Sequence, residues 1–219
     1  MPVRLFATEG IFHTEVMGRL VDKQGQSVPA SSFIPMATRH RLMPEVDKAI
    51  VSMVKAHLLS ASERKPLAVN ISAQSLVHKP FTDWLRGQLK ELGPLVRFMY
   101  FEVSCYGCSL NVDAARGFAV LVRTMGASFG IDRLGLDPIS AKVLRELPPQ
   151  YVKLDSPLIM QAQGASVAAE WVSSMVTLAK SLDAVVIAQG VESADQLESL
   201  RQTHDGGQGY YLGMPAPLV

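Results

Sequence analysis

The sequence predicts an α/β fold built on parallel strands, and three observations predict it. The first is residues 127–155, ASFGIDRLGLDPISAKVLRELPPQYVKLD. Strand formers at 128–131 end on Asp132, and a loop with Gly135 and Pro138 follows. An amphipathic stretch then sets Ile139, Val143, Leu144 and Leu147 on one side, and a second strand, 151–154, places Lys153 next to Asp155. Strand, short helix, strand is a βαβ unit. The second observation is that charged residues sit at strand ends. Parallel α/β folds handle ligands at the carboxyl ends of their strands, so Asp132 and Lys153 are candidate site residues by position alone. The third is composition: 219 residues, 48% hydrophobic and 19% charged, enough chain to bury the core of one large α/β domain.

Composition also excludes several classes. A formal net charge of +1 rules out broad electrostatic binding to a nucleic acid polymer, while leaving room for a local basic pocket. No apolar run reaches the roughly 20 residues of a membrane span, so no membrane contact by this domain is expected. Met1-Pro2-Val3-Arg4 leads straight into a strand pattern without a signal peptide. Two cysteines give no disulfide framework and fit a reducing, cytoplasmic compartment.

In chain order, residues 3–20 read as one or two strands. Alternation puts Glu15, Met17 and Arg19 on one face and Val16, Gly18 and Leu20 on the other. On the residues alone, Glu15 and Arg19 read first as a cross-strand or surface ion pair. Residues 22–26 form a turn, and Ser31 or Ser32 is expected to cap the helical turn beyond it. Residues 44–59 carry Val46, Ile50, Val54 and Leu58 at helical spacing. The strand at 67–71 ends on Asn70-Ile71-Ser72, where Asn70 is either a turn residue or a ligand-facing one. Helix 81–92 turns Trp84, Leu85, Leu89 and Leu92 inward. Strand 98–104, FMYFEVS, holds a single Glu102 in an apolar run, which is costly unless that carboxylate is paired or liganded. Cys105 and Cys108 form a lone C-x-x-C, open to reading as a redox pair or half a zinc site. With no second pair, and neither His13 nor His204 at ligand spacing, two plain reduced thiols are preferred. Helices at 112–125 and 167–182, the latter with Trp171, Val172, Met175, Leu178, Ala179 and Leu182 inside, a strand at 185–188 and a helix at 194–201 complete the alternation.

Taken together, several motifs resemble one family in family order. They are Glu15-Val16-Met17-Gly18-Arg19, FIPMA, Asn70-Ile71-Ser72, Glu102-Val103-Ser104 and DRLGLDPIS, followed by LRELP, KLD, Ala188-Gln189-Gly190-Val191-Glu192 and Gln208-Gly209-Tyr210-Tyr211-Leu212-Gly213-Met214-Pro215. These resemble cyclic-di-GMP phosphodiesterases of the EAL type. The resemblance implies a (β/α)8 TIM-like barrel of the EAL type. Its N-terminal strand should be modified or truncated, because the family's Y-Q-P is reduced to Pro2-Val3. It also implies that residues 1–219 are a single degenerate EAL domain excised from a longer multidomain protein.

The family's chemistry uses two divalent cations to activate a water against a phosphodiester. By resemblance, Glu15, Asn70, Glu102 and Asp132 are a vestigial first-metal set, and no metal is expected to be bound or required. Three family carboxylates are altered: the second Asp of DDFGTG is Arg133, the Glu that steadies the following loop is Cys105, and the Glu that opens E-G-V-E is Gln189. The Thr-Gly of that loop is Leu136-Asp137. Gln189 cannot take a proton from water at neutral pH. The resemblance assigns ligand binding to Glu15, Met17, Arg19, Asn70, Glu102, Asp132, Arg133, Lys153, Glu192, Gln208 and Pro215, with Arg19 on a phosphate. The expected function is that of the degenerate LapD-type and FimX-type receptors. These bind cyclic di-GMP without hydrolysing it, and by resemblance act in biofilm and adhesion control through a homodimer or a signalling partner, in some cases from the cytoplasmic side of an inner-membrane receptor. The alternatives are a residual metal-dependent phosphodiesterase and a protein-binding pseudoenzyme that has lost the nucleotide.

Overall fold

The structure is a computed structural model that describes residues 1–135, 137–155 and 167–218. Leu136 of the DRLGLDPIS loop therefore lies outside the described residues. Eight strands close a barrel in the order β1 (Pro2–Leu5), β10 (Gly206–Gln208), β9 (Val185–Gln189), β8 (Tyr151–Leu154), β7 (Ser128–Leu134), β6 (Met99–Ser104), β5 (Leu67–Asn70) and β2 (Ile11–Val16). All neighbours run parallel except β1, which is antiparallel to both β2 and β10. The N-terminal strand, expected to be modified or truncated, is present as β1, which runs in reverse and still closes the barrel. A small hairpin, β3 (Leu20–Val21) with β4 (Ser27–Val28), sits outside it, across the turn expected at 22–26.

Helices wrap the barrel: α1 (Ala30–Arg39), α2 (Met43–Ser60), α3 (Ala73–Val77), α4 (Lys79–Leu92), α5 (Cys105–Leu110), α6 (Val112–Thr124), α7 (Pro138–Glu146), α8 (Val167–Ser181) and α9 (Ala194–Arg201). The strands alternate as β6 shows. Met99, Phe101 and Val103 are fully buried in the apolar layer under the helices, where Phe101 meets Phe118 edge-on at 5.9 Å. Tyr100 and Glu102 face the other way, into the barrel. That interior is unusually polar, with His13, Glu102, Lys153 and Gln208 all buried.

Two local expectations are corrected. Ser31 and Ser32 lie inside the first turn of α1, whose N-cap is Pro29, so neither side chain caps it. Ile139 is 47% exposed, because the inner stripe of α7 is Ser140, Val143 and Leu144, one residue out of phase with it. Cys105 and Cys108 are free, buried thiols at the start of α5. Burial pushes the Cys108 thiol up to about 12, far from a reactive thiolate.

Candidate functional site

Strand parity and the parallel register bring the carboxyl ends of β2, β5, β6, β7, β8, β9 and β10 to one mouth. Glu15 leaves β2 there. Its Oε1 accepts from Asn70 Nδ2 at 2.7 Å, and its Oε2 accepts from Lys153 Nζ at 2.8 Å and Gln208 Nε2 at 2.7 Å. Glu102, fully buried on β6, accepts from Tyr151 Oη at 3.0 Å through Oε1 and from Lys153 Nζ at 2.9 Å through Oε2. His13 Nε2 stands 3.1 Å from the same Oε1. Lys153 is therefore the hub: its ammonium touches Glu15 and Glu102 and lies 3.5 Å from Asp132 Oδ1. Asp132 in turn accepts from Gln189 Nε2 at 3.0 Å, and Arg133 Nε lies 3.6 Å from its Oδ2.

These contacts set the charge states. Burial alone would raise the Glu102 carboxyl, but the Lys153 charge and the adjacent His13 outweigh it and hold Glu102 down at about 2. Burial would likewise strip Lys153 of its proton, and the carboxylates of Glu102, Asp132 and Glu15 instead keep it firmly charged. Asp132 goes the other way. Burial, helped by the charges of Glu102 and Glu15, raises it to about 6 against the pull of Lys153 and Arg133.

Of the residues expected from sequence, Glu15, Asn70, Glu102, Asp132, Lys153 and Gln208 meet in one hydrogen-bonded cluster. Arg133 stands beside it with its side chain 72% exposed. Met17 and Arg19 lie just past the end of β2 and are exposed. Glu192 is also exposed, and its backbone N–H donates to Gln196 Oε1. Pro215 is half-buried in the C-terminal coil, with no polar tie to the cluster. Sequence reading missed His13 and Tyr151 as members. It also missed Gly130, where a Cβ would drive into the Tyr151 ring that reaches across the barrel to Glu102.

The two-cation chemistry can be tested against the donors present. Oxygen donors for a first divalent ion exist in kind in Glu15, Asn70, Glu102 and Asp132, but protein partners engage them around the Lys153 ammonium. Among the described residues no group of three or more His, Cys, Asp or Glu side chains is set to hold an ion. By the family resemblance a second ion would lean on carboxylates at 133 and 189, where this chain has a guanidinium and an amide, and a fixed cation repels a metal. The residues do not fit a two-metal centre.

A polar mouth at the carboxyl ends of a mostly parallel barrel, with one antiparallel strand, defines a class of ligand-handling α/β barrel. The chain matches the EAL domain family over residues 1–215 and belongs to that family. It is 29% identical over 192 residues to the cyclic di-GMP phosphodiesterase NbdA of Pseudomonas aeruginosa, covering 85% of this chain and 24% of that protein. The chain thus spans about a quarter of that relative's length. Among solved structures it is similar to Vibrio cholerae LapD bound to c-di-GMP, at a TM-score of 0.88 and 25% identity over 96% of this chain and 52% of that one. It also shares the fold of the FimX EAL domain of Pseudomonas aeruginosa, at a TM-score of 0.87 and 24% identity over 100% of this chain and 90% of that one. No helix among the described residues is long and apolar enough to cross a membrane.

Proposed function

We propose that this domain is a cyclic-di-GMP receptor that binds the dinucleotide without hydrolysing it. One observation carries the reading: Asp132 is bracketed by the Gln189 amide, the Arg133 guanidinium and the Lys153 ammonium. On this reading that corner, among the described residues, sets two cations and an amide around Asp132 in place of a second carboxylate, an arrangement that opposes a second divalent ion. Groups suited to a phosphodiester remain. Arg19, exposed and shortly past the carboxyl end of β2, offers a planar fork, and Lys153 supplies a fixed charge. The similarity to LapD, whose structure was solved with c-di-GMP, supports the choice of ligand. On this reading the bound state is passed to a second copy or a partner protein, and no metal is required. The donors retained for a first ion, with NbdA as a relative, favour residual phosphodiesterase activity as the second reading.

Calorimetric titration of the chain with cyclic di-GMP tests binding. Saturable binding is expected, and Arg19→Ala should weaken it. A charge-assisted phosphate contact is worth about 1.5–3 kcal/mol, which is roughly a tenfold to hundredfold rise in Kd. A flat titration of the wild type would overturn the proposal in favour of a pseudoenzyme that has lost its nucleotide. An unchanged Kd would remove Arg19 from the site.

A further inference from the structure

Arg133 is held in a conformation that its side chain does not favour. Its φ is 54°, in the left-handed region, on a long residue inside β7. The β7–β8 register slips between Ile131 and Leu134, which is the bulge that carries it. Bulges re-aim a side chain, and backbone strain persists where the surrounding structure over-determines it. The bulge turns Arg133 out at the carboxyl rim, immediately after Asp132. There its side chain is 72% exposed, and Asp132, at 3.6 Å, is its one charged partner among the described residues. That distance is an ion contact and not a hydrogen bond, so among the described residues the exposed guanidinium donors have no hydrogen-bond partner.

We infer that the Arg133 guanidinium takes the place of the second cation, meeting the ligand's phosphodiester beside Asp132, so that dinucleotide binding does not depend on divalent metal. The inference rests on the receptor reading and deepens it. Glu15, Glu102 and Asp132 face Lys153 and Arg133, so two fixed cations already offset most of the carboxylate charge before any ion is added. A phosphodiester entering that mouth finds donors in place and needs no metal to screen the carboxylates. Replacing Arg133 by a carboxylate reverses one charge. The corner then repels the phosphate unless a divalent ion joins Asp132 and the new carboxylate.

The test compares Kd for cyclic di-GMP in EDTA and in manganese, for wild type, Arg133→Asp and Arg133→Gly. Wild type is expected to bind within about twofold in the two buffers. Arg133→Asp should bind at least tenfold more weakly in EDTA and recover in manganese. Arg133→Gly removes the charge and relieves the left-handed backbone at once. It should therefore bind more weakly while melting no lower than wild type, a combination that a merely structural arginine would not give. Wild-type binding lost in EDTA, or Arg133→Asp binding like wild type in EDTA, overturns the inference and leaves the receptor reading standing. Wild type that binds in neither buffer overturns both.

Discussion

On the β2–β5–β6 side of the barrel mouth, all four oxygens of Glu15 and Glu102 accept a hydrogen bond from another strand: Asn70, Lys153, Gln208 and Tyr151 reach in from β5, β8 and β10. On the β7–β9 side, among the described residues, Asp132 has a single amide donor and two cations at the edge of contact, one of them an arginine extended into solvent. The first side is satisfied within the fold. The second keeps cationic donors unspent. The difference separates holding the site together from holding a ligand: charges that saturate one another rigidify the barrel, and charges left facing solvent are free to act on something else.

Three stability measurements can break or sharpen this contrast. The largest effect is expected from Lys153→Met. It leaves Glu102 and Glu15 buried or half-buried without their shared cation, and breaking a buried pair from one side typically costs about 3–5 kcal/mol. Urea denaturation would measure it, and a loss below about 1 kcal/mol would show that the closed side is not built around Lys153.

The two sides should next respond to pH with opposite signs. Asp132 is raised from 3.8 to about 6, so the folded state holds a proton that the unfolded chain has released. The Asp132 contribution to stability is then fully present below pH 3.8 and is lost as pH rises through 6, by about 3 kcal/mol for the full shift. Glu102 is lowered from 4.5 to about 2, so its contribution is present above pH 4.5 and is lost as pH falls toward 2. Asp132→Asn in EDTA should flatten the slope between pH 4 and 6 while leaving the acid limb intact. An unchanged slope in that window would remove Asp132 as its source.

Tyr151→Phe should have the smallest effect. It deletes one hydrogen bond to a charged, buried acceptor that keeps Lys153 and His13, a loss of about 2 kcal/mol. Cyclic-di-GMP affinity should move far less than stability, because the hydroxyl lies beneath the mouth. A variant that keeps its stability but loses affinity would place Tyr151 on the ligand side.

Asp132, Lys153 and Glu102 were legible because strand-end position and the cost of a lone charge in an apolar run are properties of short segments. Asn70 was favoured as ligand-facing by its place at a strand end, and Glu15 became legible as a site residue only through the motif resemblance. What was not legible needed register between distant strands. His13 and Tyr151 reach Glu102 because they share its height inside the barrel, although Tyr151 is 49 residues from it in sequence. The strand β10 gave no strand signal, since Gly206 and Gly207 are poor strand formers. The structure supplies the reason for the first of them: a Cβ at 206 would collide with the Arg4 carbonyl oxygen of the antiparallel β1. Arg133 was legible as a substitution, but its left-handed backbone and outward aim were not.

The most direct test of the central claim is turnover. The chain is incubated with cyclic di-GMP and excess manganese, and the linear dinucleotide is followed by chromatography against a metal-only control. No product above the control is expected, and restoring Gln189→Glu alone should not produce any, because Arg133 still opposes a second ion and catalytic groups that act as a unit are not additive. Product above the control that disappears on Glu15→Ala would contradict the account and make this domain a phosphodiesterase.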